Sequence, residues 1–83
     1  MNKRKYVYYV GVLTGGACKF VTSVDYVNKT ALWESGKKAV EMSMQCADDL
    51  VYGLLLNFHY AFTVKVPCGI EFTNGEETAN NDL

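Results

Sequence analysis

Residues 44–56 read MQCADDLVYGLLL, and this stretch decides the fold class because it carries a clear helical period. Ser43, directly before it, is a good N-cap residue, and Asn57, directly after it, suits the left-handed position at which many helices end. The sequence therefore predicts one amphipathic helix. Its core-facing side chains recur at the i, i+3, i+4, i+7 and i+8 spacing of one helix face: Ala47, Leu50, Val51, Leu54 and Leu55.

Alternating apolar residues predict strands before and after this helix. Residues 5–13 (KYVYYVGVL) are apolar on both alternating faces, which is typical of a central strand or of one covered by a partner. Residues 38–42 could open the helix or form a strand, and we favour the strand because Lys37 and Lys38 would be unfavourable in a first helical turn. β-branched and aromatic residues predict the other strands: residues 18–27, 30–34 and 60–66.

Together these elements predict an α+β domain of order ββββαβ. We expect a mostly antiparallel sheet of four to five strands with one amphipathic helix packed on one face. The domain should span residues 1–73, and the polar, acidic residues 74–83 should form a frayed tail. Trp33 should lie near or beneath the helix, while tyrosines of the first strand should stay partly exposed on the open face of the sheet.

The composition is that of one small globular domain. The chain has 83 residues, of which 49% are hydrophobic and 20% are charged. No apolar run approaches the ~20 residues that a membrane-spanning helix needs, and no signal-peptide pattern follows the basic N-terminal residues. The three cysteines are odd in number and widely spaced, which favours a reducing compartment over a disulfide framework. We therefore expect a cytoplasmic protein.

Nothing in the sequence indicates catalysis, a cofactor or a metal. His59 is the single histidine, and no cysteine lies in a nucleophile motif or at zinc-ligand spacing. Asp48 and Asp49 are neighbours, so on a helix their side chains point about 100° apart and cannot share a substrate proton. The glycines also lack the spacing of a phosphate-binding loop. These patterns predict a non-enzymatic protein without cofactor or metal.

The charges are distributed unevenly along the chain. Residues 1–38 contain seven lysine or arginine residues and two acids, whereas residues 39–83 contain one lysine and seven acids. Such asymmetry bears on association rather than on fold. It leads us to expect binding to a host protein or ribonucleoprotein through an acidic face, with these candidate residues: Glu41, Asp48, Asp49 and Tyr52.

Two other functions remain open at this point. A homo-oligomeric structural or regulatory protein could form if the tyrosine-rich first strand paired with itself in a second copy. A small nucleic-acid-binding protein could stack bases on tyrosines and pair phosphates with basic residues. Its candidate face comprises the following residues: Lys3, Arg4, Lys5, Tyr6 and Tyr8.

Part of the chain resembles the small accessory proteins encoded by phages and mobile elements of Gram-positive bacteria, some of which are anti-CRISPR inhibitors. The matching pattern is WESGK at 33–37, Val40-x-Met42, Ala47-x-x-Leu50-x-x-Gly53-Leu54-x-x-Asn57 and Ala61-x-x-Val64. The resemblance implies a phage protein that acts in the host cell cytoplasm. It would inhibit a host macromolecule, for example a CRISPR effector nuclease, by protein–protein contact.

Overall fold

The computed structural model describes residues 5–75, and this part of the chain folds as an α+β domain with one helix and five strands. A three-stranded antiparallel sheet has the order β2-β1-β5, and β3 pairs with β4 in a separate antiparallel hairpin. The elements in chain order are β1 (Tyr6–Thr14), β2 (Ala17–Phe20), β3 (Ser23–Asp25), β4 (Thr30–Leu32), α1 (Met44–Leu56) and β5 (Tyr60–Pro67). The predicted α+β class with one helix and antiparallel strands is confirmed, whereas the expected single sheet of four to five strands is divided into two sheets, of three and two strands.

Strand β1 is the centre of the molecule, as its two apolar faces predict. It pairs with β5 from Tyr6 to Leu13 and with β2 across a two-residue turn. Gly15 and Gly16 form this turn, and both have the positive φ angles (59° and 80°) that a tight hairpin requires. Residues on both faces of β1 are at most 1% exposed: Val7, Tyr9, Val10 and Val12.

Helix α1 covers one face of the sheet. Ser43 caps it as predicted, because its side-chain oxygen accepts a hydrogen bond from the Cys46 amide at 3.2 Å. Ala47 and Leu54 are buried, in one core cluster with the β1 and β5 side chains of this face, whereas Leu50 and Val51 are only partly buried. Trp33 packs against the same core, close to its predicted place.

The other face of the sheet is covered by the C-terminal residues 70–74. The Phe72 ring stacks on Phe20 at a centroid distance of 4.7 Å and meets Tyr9 edge-on at 5.1 Å. The Tyr9 hydroxyl donates a hydrogen bond to the Ile70 carbonyl oxygen at 2.7 Å. This covering corrects the expectation of an open face, because Tyr9 is buried there, whereas Tyr6 of the same strand is exposed, as expected of the first-strand tyrosines.

Asn74 fastens this C-terminal segment and is buried, although we predicted it as the first residue of a frayed tail. Its side chain accepts a hydrogen bond from the Phe20 amide (2.8 Å) and donates to the carbonyl oxygens of Phe20 and Glu34 (2.9 Å each). Its own amide donates to the Lys37 carbonyl at 3.0 Å. Asn74 thus belongs to the folded part of the chain, and residues 76–83 of the predicted tail lie outside the described residues.

The predicted strand over residues 18–27 is wrong, because it breaks at Val21. The Val21 amide donates to Val10 in β1, whereas the next amide, that of Thr22, donates to Leu32 in β4. The chain therefore leaves the sheet at this point and enters the β3–β4 hairpin. The following strand is also shorter than the predicted 30–34.

Residues 38–42 are extended and not helical, as we favoured, but they do not form a regular strand. Met42 exchanges two backbone hydrogen bonds with Tyr8 (3.1 and 2.9 Å), while the Ala39 and Val40 amides donate to other segments of the chain. Because successive residues have different partners, only isolated bridges form. Met42 thus pairs with β1 on the same side as β2, beyond the part of the strand that β2 covers.

We expect Leu54→Ala to lower the free energy of unfolding by about 2–5 kcal/mol, because it leaves a cavity beneath α1. Leu54 is 7% exposed, whereas Leu56, two residues further along the same helix, is 62% exposed. Leu56→Ala is the matched control and should change the free energy by less than about 0.5 kcal/mol. Urea denaturation followed by circular dichroism measures both, and equal midpoints would mean that the helix register is wrong.

We expect Asn74→Ala to lower the free energy of unfolding by about 1–3 kcal/mol, since it leaves partly buried backbone groups of Phe20 and Glu34 without partners. Asn28→Ala serves as the control, because Asn28 makes its side-chain hydrogen bond to Asp25 in an exposed turn. The measurement is the denaturant midpoint followed by Trp33 fluorescence. A loss no larger than that of the control would contradict the anchoring role of Asn74.

Candidate functional site

Three of the four residues predicted to bind a partner lie together on α1. Asp48, Asp49 and Tyr52 are all exposed, and Tyr52 is 67% exposed. Tyr52 follows the two acids by four and three residues, so one helical turn brings them to the same side. Leu56 continues this row one turn later and is exposed as well. We call these four residues the outer face of α1.

Glu41, the fourth predicted residue, lies apart from this surface. Its carboxylate accepts a long hydrogen bond (3.5 Å) from the hydroxyl of Tyr9, a residue of the face that the C-terminal segment covers. Burial of Tyr9, reinforced by the negative charges of Glu41 and Glu71, raises the pKa of this hydroxyl. The structure therefore places Glu41 on the side of the sheet opposite to α1, where it does not extend the outer face.

The C-terminal end of α1 holds the most exposed aromatic side chain in the described residues. Phe58 is 98% exposed, and its φ angle of 67° lies in the left-handed region that residues other than glycine rarely adopt. We predicted the left-handed position one residue earlier, at Asn57. Asn57 instead has φ −99° and donates a side-chain hydrogen bond to the Gly53 carbonyl at 3.0 Å.

Two backbone hydrogen bonds hold Phe58 in this conformation. The Phe58 amide donates to Leu55 at 3.0 Å and the His59 amide donates to Leu54 at 2.9 Å. This pair of bonds is the Schellman motif, in which the left-handed residue is usually glycine. His59 is further fixed by Trp33, whose ring meets the imidazole edge-on at 5.0 Å. The rigid end of the helix thus projects Phe58 into solvent.

A groove runs between α1 and the β3–β4 hairpin, beside the outer face. Its volume is about 470 Å³, and it is lined mainly by apolar and aromatic side chains, with Lys29 and Asp49 as the charged groups. Asp25 holds the hairpin turn, because its carboxylate accepts hydrogen bonds from the Val27 and Asn28 amides and from the Asn28 side chain. The Asn28 side chain is the main reason why the pKa of Asp25 is lowered.

Tyr26 and Cys46 both line this groove, and their side chains are adjacent. Desolvation, followed by the adjacent Cys46 thiol, raises the pKa of the Tyr26 hydroxyl. The three cysteines are free: Cys46 is partly buried in the groove, and Cys18 and Cys68 are exposed. The groove can therefore accept an apolar side chain of a partner, with one charge of each sign at its rim.

The alternative nucleic-acid face is only partly assembled. Lys5 is exposed, and Tyr6 is 47% exposed with the Lys65 ammonium 4.6 Å from its ring centroid. Tyr8, in contrast, packs against the core cluster, so its ring is less available for a base. Lys3 and Arg4 lie outside the described residues.

Within residues 5–75, no group of three or more His, Cys, Asp and Glu side chains is arranged to hold a metal ion. The helix α1, the one helix in that range, lacks the length and apolarity needed to cross a membrane. Comparison with known proteins finds no matching family model, no matching curated protein and no matching solved structure.

Sequence reasoning placed the two aspartates and Tyr52 together on α1 but did not single out Phe58 or the groove. The only local signal for Phe58 was its place just after the predicted helix end, where an aromatic residue contributes nothing to the core. The groove had no local signal, because Lys29 and Tyr26 reach α1 only after the hairpin has folded back.

We expect Phe58→Gly to raise the free energy of unfolding by about 1 kcal/mol, because glycine adopts a positive φ angle without steric cost. The exposed ring makes little contact with the fold, so its removal should cost little. Phe58→Ala is the control: it removes the ring but keeps the strained backbone, and should leave stability nearly unchanged. Urea denaturation measures both, and a destabilised glycine variant would contradict the strain at this position.

Proposed function

We propose that this protein acts without catalysis, by binding a partner protein through the outer face of α1 and the adjoining Phe58. The observation that carries the proposal is Phe58 itself: an almost fully exposed aromatic ring held on strained but hydrogen-bonded backbone. Such a residue lowers solubility and adds strain without stabilising the core. Strained residues cluster at functional sites, and aromatic anchors dominate the energetics of protein interfaces.

The neighbouring side chains indicate the chemistry of the partner. Asp48 and Asp49 present two carboxylates on a rigid helix, which favours a basic surface. Leu56 and Phe58 supply exposed apolar area beside them, which favours an apolar pocket within that basic surface. Protein surfaces that bind nucleic acid are basic. A host nucleic-acid-handling protein therefore suits this side of α1.

The specific form of the proposal follows the resemblance described above. The protein would be a phage-type inhibitor that occupies a basic surface of a host macromolecule, for example a CRISPR effector nuclease. Its size is sufficient, because an interface of standard size buries only about 800 Å² on each partner. Occupying a nucleic-acid groove would block the host protein without any chemical step.

The acids and the aromatic ring should affect different rate constants. Reversal of Asp48 and Asp49 to lysine should slow association, because charges on the surface steer the encounter, and the effect should shrink as salt screens it. Phe58→Gly should mainly speed dissociation, because a ring seated in a pocket is lost after the complex has formed. Loss of a central anchor of this kind corresponds to at least about 2 kcal/mol, or roughly thirtyfold in affinity.

The experiment begins with affinity capture from host lysate, followed by surface plasmon resonance with the purified partner. The variants are Phe58→Gly, Asp48→Lys with Asp49→Lys, and the control Ile70→Ala, which removes an exposed apolar side chain from the opposite side of the sheet. The control should bind like the unmodified protein. Unchanged binding by the Phe58 and aspartate variants would contradict the proposed surface.

Single-stranded DNA and RNA are tested in parallel at physiological salt. Tight binding that depends on Lys5 and Tyr6 would overturn the proposal and favour the nucleic-acid-binding alternative.

A further inference from the structure

A separate surface, the outer edge of β5, has features that the proposed function does not use. β5 is at the end of the sheet order β2-β1-β5 and is eight residues long. The Cys68 amide donates to the Lys5 carbonyl, and hydrogen-bonded pairs alternate along an antiparallel ladder. Val66, Val64 and Phe62 therefore bond to β1. The backbone groups of the alternate residues, Ala61, Thr63 and Lys65, point outward; Thr63 and Lys65 are exposed, whereas Ala61 is buried.

This edge has little of the protection that edge strands usually carry. Proteins block such edges with short strands, lysine, proline or bulges. Here Lys65 and Pro67 lie near one end of the strand, while residues 60–64 (YAFTV) are uncharged and favour β structure. Among residues 5–75, no segment pairs with the outer side of β5. A regular, uncharged strand edge is a template for another strand.

We infer that the edge pairs with β5 of a second copy of this chain, antiparallel and symmetric about Thr63. In that register each outward residue meets an outward residue of the other copy: Thr63 meets Thr63, and Ala61 meets Lys65. All outward backbone groups of Ala61, Thr63 and Lys65 then find partners. The two Lys65 side chains do not lie opposite each other, so their like charges do not oppose this pairing.

The side chains on the other face of the strand are complementary in the same register. Tyr60 of each copy lies opposite Val66, and Phe62 lies opposite Val64. Pairs of aromatic and β-branched residues are favourable across antiparallel strands. Tyr60 is 69% exposed and Phe62 is 37% exposed in the single chain, so the pairing covers apolar surface that is otherwise in water. The Phe62 ring already lies over Gly11, where an added Cβ would be 2.5 Å from its Cζ atom.

Two copies joined through β5 would form a continuous six-stranded sheet, in which the order β2-β1-β5 of one copy is followed by β5-β1-β2 of the other.

The tyrosine-rich strand itself cannot mediate this association. The sequence alone suggested self-pairing of the first strand, but β1 is paired on both sides, with β5 on one and with β2 and Met42 on the other. The inferred dimer therefore uses the outer edge of β5 and leaves Phe58 and the outer face of α1 outside the strand pairing.

The test is sedimentation equilibrium from about 10 µM to about 1 mM, a range that covers moderate dimer affinities. The unmodified chain should dimerise. Thr63→Lys should raise the dimer dissociation constant by about tenfold or more, because it places like charges directly opposite each other across the two-fold axis. Thr30→Lys, a change at another exposed strand residue, is the matched control and should dimerise like the parent. Circular dichroism confirms that both variants fold.

Amide hydrogen exchange measured by NMR gives a second readout that needs no variant. The amides of Thr63 and Lys65, which belong to exposed residues, should exchange rapidly in dilute protein and become protected as the dimer forms, whereas those of Phe62, Val64 and Val66 should be protected throughout. A chain that stays monomeric up to about 1 mM would overturn the inference. So would a dimer that tolerates Thr63→Lys, or one whose outward amides remain unprotected.

Discussion

The structure depends on the burial of both faces of β1. This strand places Val10 and Val12 on one side and Val7 and Tyr9 on the other, and each of them is at most 1% exposed. One helix can cover only one face of a sheet, so the chain needs a second cover. Residues 70–74 provide it, with the Phe72 ring stacked on Phe20 and edge-on to Tyr9. The two layers that cover the sheet, α1 and residues 70–74, thus both pack against β1. The hydrogen bonds of Asn74 hold the second layer in place.

Asn74 shows why a buried polar residue can be necessary in so small a domain. The segment that it anchors has no regular strand partner, so its backbone groups need hydrogen bonds from elsewhere. One amide side chain joins the end of β2 to the turn after β4, and no buried side-chain polar atom among the described residues lacks a partner. These hydrogen bonds hold residues 70–74 against the face of the sheet opposite to α1.

The helix that carries the proposed binding surface packs on this sheet. The outer face of α1 can aim its carboxylates without the ordering cost that a flexible tail incurs on binding. At its end, the hydrogen bonds of the Schellman motif set Phe58 in one backbone conformation. The outer edge of β5 lies elsewhere on the same scaffold. The proposed partner binding and the inferred self-association would therefore use different groups, so that each could be altered without removing the other.

The sequence by itself determined the local elements: the period of residues 44–56 defined the helix and its Ser43 cap, and the two apolar faces of residues 5–13 defined a central strand. Asp48, Asp49 and Tyr52 were also placed correctly together, because helical spacing is a local property. Only the tertiary structure decided the break at Val21, the burial of Asn74 and the distance of Glu41 from α1. Asn74 bonds to Phe20, 54 residues away, and no local pattern contains such a partner. The outer edge of β5 likewise depends on the tertiary structure, because the strand order is set by pairing between segments that are far apart in the chain.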